Sequence, residues 1–141
     1  MSEINMGEVE RLFSSAPFIR ELGLELVAVT QGECRSRLVL AERHLQQDGF
    51  VHAGVQGAMA DHTAGAAAAS LVPPGQRILG AEYKINLLRA ARGEALLCTA
   101  RVIKAGRTLV VAEAEIRCRA GEDEKLVAKA MVTLAVVGEA V

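Results

Sequence analysis

The residues in this 141-residue sequence whose types and spacing could do chemistry fall in one stretch, Gly49-Phe-Val-His-Ala-Gly-Val-Gln-Gly-Ala-Met-Ala-Asp-His-Thr-Ala-Gly65. His52 leads into a run of small apolar residues that contains one carboxylate, Asp61. A segment that is apolar on every face, from Val55 through Ala69 to Val72, predicts a helix buried all round. A charge inside such a helix is costly unless it is paired or faces a site. The free backbone amides of the helix start, around Ala53, Gly54 and Val55, could hold a carbonyl oxygen and stabilise an oxyanion. With the helix beginning near Gly54, Asp61 lies about seven residues in, roughly 10 Å along the axis. That is too far to act on a carbonyl held at its own helix start. A working site therefore needs Asp61 from a second subunit, and the spacing predicts a homo-oligomer with paired sites.

The neighbouring polar residues have plainer readings. Asp61 itself has the alternative of a buried carboxylate held by the sheet or the dimer partner without catalysis. His52 either fixes the loop geometry or transfers protons. His62 points to a different face of the helix from Asp61, since successive residues differ by about 100°, and reads as structural. His44 reads as a solvated loop residue. Thr63 either back-bonds within the helix or lines the site. Three histidines with no i, i+4 pair offer no ligand geometry, so neither a metal nor another cofactor is expected. Cys34, Cys98 and Cys118 form no C-x-x-C pair and fall in apolar-alternating runs, which reads as buried thiols in a reducing compartment.

With 16 basic and 17 acidic residues interspersed and a net charge of −1, bulk charge favours neither nucleic acid nor an anionic membrane. The longest apolar run, Ala64 to Pro74, is too short and too Ala-rich to span a bilayer. The first residues lack the basic start and apolar core of a secretory signal. The expectation is a cytoplasmic protein.

The elements that must position the site follow from periodicity. Met6 to Ser14 has helical spacing, with Met6, Val9, Leu12 and Phe13 on one face and Pro17 as a stop. Gly23 to Val29 and Glu33 to Ala41 alternate as strands about a turn at Gln31-Gly32. Glu42 to Val51 is a polar loop. After the central helix, closed by Pro73-Pro74-Gly75, come four strands: Ile78 to Leu88, Glu94 to Ile103, Thr108 to Arg119 and Lys125 to Val137. Hairpin-linked strands with one apolar face make an antiparallel sheet wetted on one side. The Ala-rich helix is the only large apolar object available to cover the other face. One domain over residues 1–141 is expected. The order helix, two strands, central helix, four strands is that of an α+β hotdog fold, in which an antiparallel sheet of about six strands wraps a long helix.

Gly49, His52-Ala53-Gly54 and then Asp61 resemble the His-Gly-Gly…Asp segment of phenylacetic-acid-degradation-type (PaaI-like) hotdog thioesterases. Ala81-Glu-Tyr-Lys-Ile-Asn-Leu-Leu-Arg89 is similar to that family's strand after the helix, and Lys104-Ala-Gly-Arg-Thr108 to its following hairpin. The resemblance covers roughly Gln46 to the C-terminus. It implies an acyl-CoA thioesterase whose thioester carbonyl meets the backbone amide of Ala53, with Asp61 of the partner subunit as general base or nucleophile. The side-chain amide of Gln46 would help place the carbonyl or the water. Gly80 and Asn86 on the strand would line the substrate, and among Arg89, Arg92, Lys104 and Arg107 some would meet the phosphates of coenzyme A. The assembly implied is a homodimer, or a homotetramer of such dimers. Three positions depart from the family pattern: Ala53 stands for its middle Gly, Gln46 for its Asn, and Gly80 for a frequent hydroxyl residue. Two other readings remain. One is a non-catalytic acyl-thioester-binding protein. The other is a hydratase or dehydratase on the same fold, for which the Pro-rich His loop is missing.

Overall fold

The computed structural model describes residues 6–138. Helix α1, Met6–Ser15, buries Val9 and Phe13. Leu12 departs from the expected common face and is about half exposed. Pro17 ends α1 and also begins a further helix that the periodicity does not announce, α2, Pro17–Leu22. Its ring is compatible with the first helical position because the missing N–H would have no partner there. Gly23 closes α2 in the left-handed region, φ 87°, a backbone that other residues rarely adopt.

Strands β1, Glu25–Thr30, and β2, Glu33–Val39, form the first hairpin. In β2 the buried Cys34, Ser36 and Leu38 alternate with exposed Arg35 and Arg37, as the sequence pattern requires. The central helix α3, Ala53–Ala69, then precedes β3, Arg77–Leu87, β4, Ala95–Ala105, β5, Leu109–Ala120, and β6, Asp123–Val137. The six strands form one antiparallel sheet in the order β1-β2-β4-β5-β6-β3. The sheet wraps α3, and the hotdog expectation holds.

Size complementarity makes that wrapping possible. Ala60, Ala64, Ala67 and Ala68 of α3 are fully buried, and Leu38, Leu96, Ile116 and Leu134 of the sheet fill the same core. Small residues on the helix and large ones on the strands let the backbones approach without voids. Thr63 is resolved as a core residue. Its hydroxyl donates to the Met59 carbonyl at 2.6 Å and pairs with Ser36 Oγ at 2.7 Å. The three cysteines are free and buried, as expected, and burial pushes the Cys34 and Cys98 thiols up to about 12.

Two arrangements position the site. Strand β3 crosses over to the far edge of the sheet, so one side of its backbone has no neighbouring strand among the described residues, and Leu79, Tyr83 and Leu87 stand about half exposed along it. The loop before α3 is anchored by His44, which corrects the expectation of a solvated residue. His44 is buried; its Nδ1 accepts the Ala41 N–H at 2.9 Å, so Nε2 carries the proton and donates to the Leu22 carbonyl at 2.7 Å. Its own carbonyl accepts the His52 N–H at 2.9 Å. His44 thus ties the end of α2 to the start of α3. Replacing it by Ala removes both side-chain bonds and leaves a cavity, and His44→Ala should lower stability by about 3 kcal/mol. Urea unfolding measures this, and a loss below about 0.5 kcal/mol would contradict the anchoring role.

Candidate active site

The start of α3 is capped by His52, whose backbone is extended and whose Nδ1 accepts the Gly54 N–H at 2.8 Å. His52 thus caps the helix, and the Gly54 amide is committed to it. The next amide, that of Val55, donates to the His52 carbonyl. Ala53 N–H donates to no group among the described residues, and Ala53 is exposed. It is the free donor of the helix N-terminus, where unpaired amides and the helix dipole favour developing negative charge.

Gln46 sits in the preceding loop and organises it. Its Oε1 accepts the Asp48 N–H at 2.5 Å and the Phe50 N–H at 3.2 Å, and its amide nitrogen donates to no group among the described residues. The loop is pinned to the β3–β4 connection by Val51 N–H, which donates to the Ala91 carbonyl at 2.9 Å. That connection carries Arg89 and Arg92. Together with Lys125 of β6 they line a cavity of about 230 Å³. Lys125 was not foreseen, because only the fold brings the start of β6 beside the end of β3. None of these three cations has an ion pair among the described residues. Lys104 and Arg107 lie at the other end of β4, about 30 Å away at ~3.3 Å per residue. Within one chain the structure does not bring them to Arg89 and Arg92. Asn86 lies on the exposed β3 edge opposite Lys129, six residues along the strand from Gly80.

Asp61 occupies a different place. A Cβ on Gly80 would come within 2.8 Å of Asp61 Oδ1, so the carboxylate rests directly over the glycine, where the β3 register shifts between Gly80 and Glu82. One turn earlier, a Cβ on Gly57 would come within 2.7 Å of Tyr83 Oη. Glycines at 57 and 80 therefore clear the space that Asp61 and Tyr83 occupy. Gly57, four residues before Asp61, is the sequence signal that could have pointed to Tyr83. The carboxylate accepts no hydrogen bond among the described residues and faces a cavity of about 950 Å³ between α1, α3 and residues 72–80. Burial raises its pKa, opposed in part by the adjacent His62. His62 also lines this cavity, and its Nε2 bonds the Phe13 carbonyl at 2.9 Å. Burial lowers the His62 pKa against that bond and the Asp61 charge.

Asp61 stands eight residues beyond Ala53, about 12 Å along the axis. Among the described residues, the free helix-start amide and the unpaired carboxylate are thus too far apart to meet on one carbonyl of the same chain. One further buried acceptor, Gln56 Oε1, has no partner among the described residues. No group of metal-ligating side chains occurs among the described residues.

Comparison with known proteins adds to this geometry. Residues 48–132 match the family model described as the thioesterase superfamily. The chain is 31% identical over 115 residues to a 1,4-dihydroxy-2-naphthoyl-CoA hydrolase of Listeria monocytogenes, covering 82% of this chain and 91% of that one. A thioesterase family protein from Silicibacter pomeroyi superposes with a TM-score of 0.92 at 30% identity, covering 96% of this chain and all of that one. A Haemophilus influenzae thioesterase gives 0.84 at 25% identity, over 95% and 91% of the two chains.

The Asp61 environment has a consequence for stability. Its folded pKa lies above the unfolded value of ~4, so the folded state binds its proton more tightly. That contribution is complete below the unfolded value and is lost as pH rises through the folded one. Asp61→Asn removes the ionisation. Its thermal midpoint should exceed that of wild type near neutral pH, and the gap should close below roughly pH 4. A variant that melts lower than wild type near neutral pH would contradict an unpaired, desolvated carboxylate.

Proposed function

The chain belongs to the thioesterase superfamily, and from that premise we propose that it is an acyl-CoA thioesterase of the PaaI-like branch. It works as a homodimer in which each site combines the Ala53 end of one subunit with Asp61 of the partner subunit. The observation that carries this reading is the carboxylate of Asp61, unpaired among the described residues and turned into a cavity. The Listeria relative is named as a hydrolase of a CoA thioester, which supports the substrate class. Two features support pairing of chains. Strand β3 has a free edge with exposed apolar side chains, a surface that invites another strand. Ala58 of α3, about one turn before Asp61, is only half-buried although small and apolar. The same free edge allows two dimers to pair as a tetramer. Free, buried thiols agree with a cytoplasmic location; among the described residues no helix is long and apolar enough to cross a membrane.

In this mechanism the thioester carbonyl oxygen accepts the Ala53 N–H. Water attacks the carbonyl carbon while the partner's Asp61 takes its proton, and the oxyanion that forms is held at the helix N-terminus. The carbon–sulfur bond then breaks, the protonated Asp61 returns the proton to the CoA sulfur, and the free acid departs. Direct attack by the carboxylate, giving a mixed anhydride that water opens, uses the same geometry. Gln46 can place the carbonyl or the water through its free amide nitrogen. Ala53 keeps the N–H that the reaction needs, and Gly80 leaves room for the carboxylate. Arg89, Arg92 and Lys125 lie at the Ala53 end, where the nucleotide of coenzyme A would leave the site; this favours them over Lys104 and Arg107 of the same chain as phosphate contacts.

Asp61→Asn should fold and lose at least ~10²-fold in kcat on acyl-CoA, the low end of what a positioned acid or base contributes. Thiol release followed with a disulfide reagent measures it. A variant that turns over at the wild-type rate while wild type is active would remove Asp61 from the chemistry; wild-type binding without thiol release would favour a binding module. Arg89→Ala with Arg92→Ala should instead raise KM for acyl-CoA about tenfold with kcat little changed, and the rise should shrink with added salt. An unchanged KM would move the phosphate contacts elsewhere.

A further inference from the structure

We propose that the large cavity beside Asp61 is an acyl pocket that measures chain length along α3, with a medium-to-long apolar acyl group as its occupant; this rests on the thioesterase reading above. The cavity begins at Asp61 and continues along α3 past Gly65, Ala66 and Ala69 towards Val72. Residues 62, 65, 66 and 69 follow helical spacing, so they form one straight stripe. Their small side chains, after His62, leave the helix surface open. From Asp61 to Ala69, the last residue of α3, that stripe runs about 12 Å, and Val72 lies beyond its end. Across it stand α1, through Val9, Leu12 and Phe13, and the segment 72–80.

The chemistry of the walls selects the occupant. Apart from Asp61 and His62, only the exposed Glu8 and Arg77 bring charge to the cavity among the described residues. A charged group inside the acyl chain would find no buried partner there. The volume, about 950 Å³, is at the upper end for a small-molecule site, far more than an acetyl group fills. The wall is also fixed in place. His62 joins α3 to the Phe13 carbonyl at 2.9 Å, and its ring meets the Phe13 ring edge-on, with centroids 4.5 Å apart. The residue next to Asp61 thus holds α1 at a set distance from the helix. Leu12, half exposed against the pattern of its own helix, gains a role as a wall residue.

The test is a ruler experiment. Ala69 stands about 12 Å from Asp61 along the axis and Ala66 about 8 Å. Wild type, Ala69→Leu and Ala66→Leu are compared on butyryl-, octanoyl- and dodecanoyl-CoA. Wild-type kcat/KM should rise with length. Ala69→Leu should lower the dodecanoyl-to-octanoyl ratio by at least ~10-fold, and Ala66→Leu should also lower the octanoyl-to-butyryl ratio. Ala69→Leu, at the partly exposed end, is the milder change should Ala66→Leu fold poorly. Calorimetric Kd values for the same three compounds give a readout independent of turnover, with wild type binding the longer chains more tightly. Length-dependent binding without hydrolysis would overturn the thioesterase reading and keep the pocket. Hydrolysis with no length dependence would overturn the pocket, as would variants that alter the mass by light scattering and leave chain selectivity untouched, since a second copy would then fill the groove.

Discussion

An unpaired carboxylate on a helix made largely of alanine and glycine is the constraint on which the rest of this structure depends. Asp61 accepts no hydrogen bond among the described residues, and burial penalises its charged form. The fold must therefore supply enough packing elsewhere to hold it there. It does so by pressing α3 against the sheet, with Ala60, Ala64, Ala67 and Ala68 fully buried beneath the large side chains of the strands. Larger residues on α3 would push the sheet away. Side chains at Gly57 or Gly80 would collide with Tyr83 or with Asp61 itself. Other small residues of the same helix, Gly65, Ala66 and Ala69, line the cavity that Asp61 faces.

The two reactive features of the chain are kept apart by the same helix. The free Ala53 amide lies at its first residue and Asp61 two turns further along, so the proposed chemistry needs a second copy to bring them together. The edge position of β3 fits that need. Its crossover leaves a free strand edge beside the helix face that carries Asp61. The cations that suit a polyanionic leaving group, Arg89, Arg92 and Lys125, gather at the Ala53 end through the bond from Val51 to Ala91. In the proposed assembly, the carbonyl donor and the leaving-group cations come from one subunit, and the carboxylate and the acyl pocket from the other.

Much of this was legible from the chain alone, wherever the signal is local. Composition marks α3, a lone charge marks Asp61, and period-two alternation marks β2, β5 and β6. The missing parts all depend on long-range pairing. Nothing in the residues of β3 says that it joins β6 at the sheet edge instead of pairing with β4, which follows it. His44 reads as polar loop because its partners at Leu22 and Ala41 become neighbours only when α2 and the loop pack together. Basic residues in one hairpin look equivalent in sequence to those in another, yet the length of β4 places Lys104 and Arg107 far from Arg89 and Arg92. Leu12 matches the apolar face of α1 by spacing and still opens onto a cavity, because the neighbouring stripe of α3 is too small to cover it.

Mixing two inactive chains tests the shared site most directly. Ala53 is the first helical residue and His52 before it is already extended, φ −62° and ψ 137°, so Ala53→Pro removes the amide proton from a backbone that accepts proline. Ala53→Pro and Asp61→Asn should each be inactive as pure proteins. Unfolded together and refolded, half of the dimers would be mixed, each with one intact and one doubly damaged site, restoring about a quarter of wild-type activity. Two inactive parents whose mixture forms heterodimers and stays inactive would place both groups in the same chain's site and contradict the account.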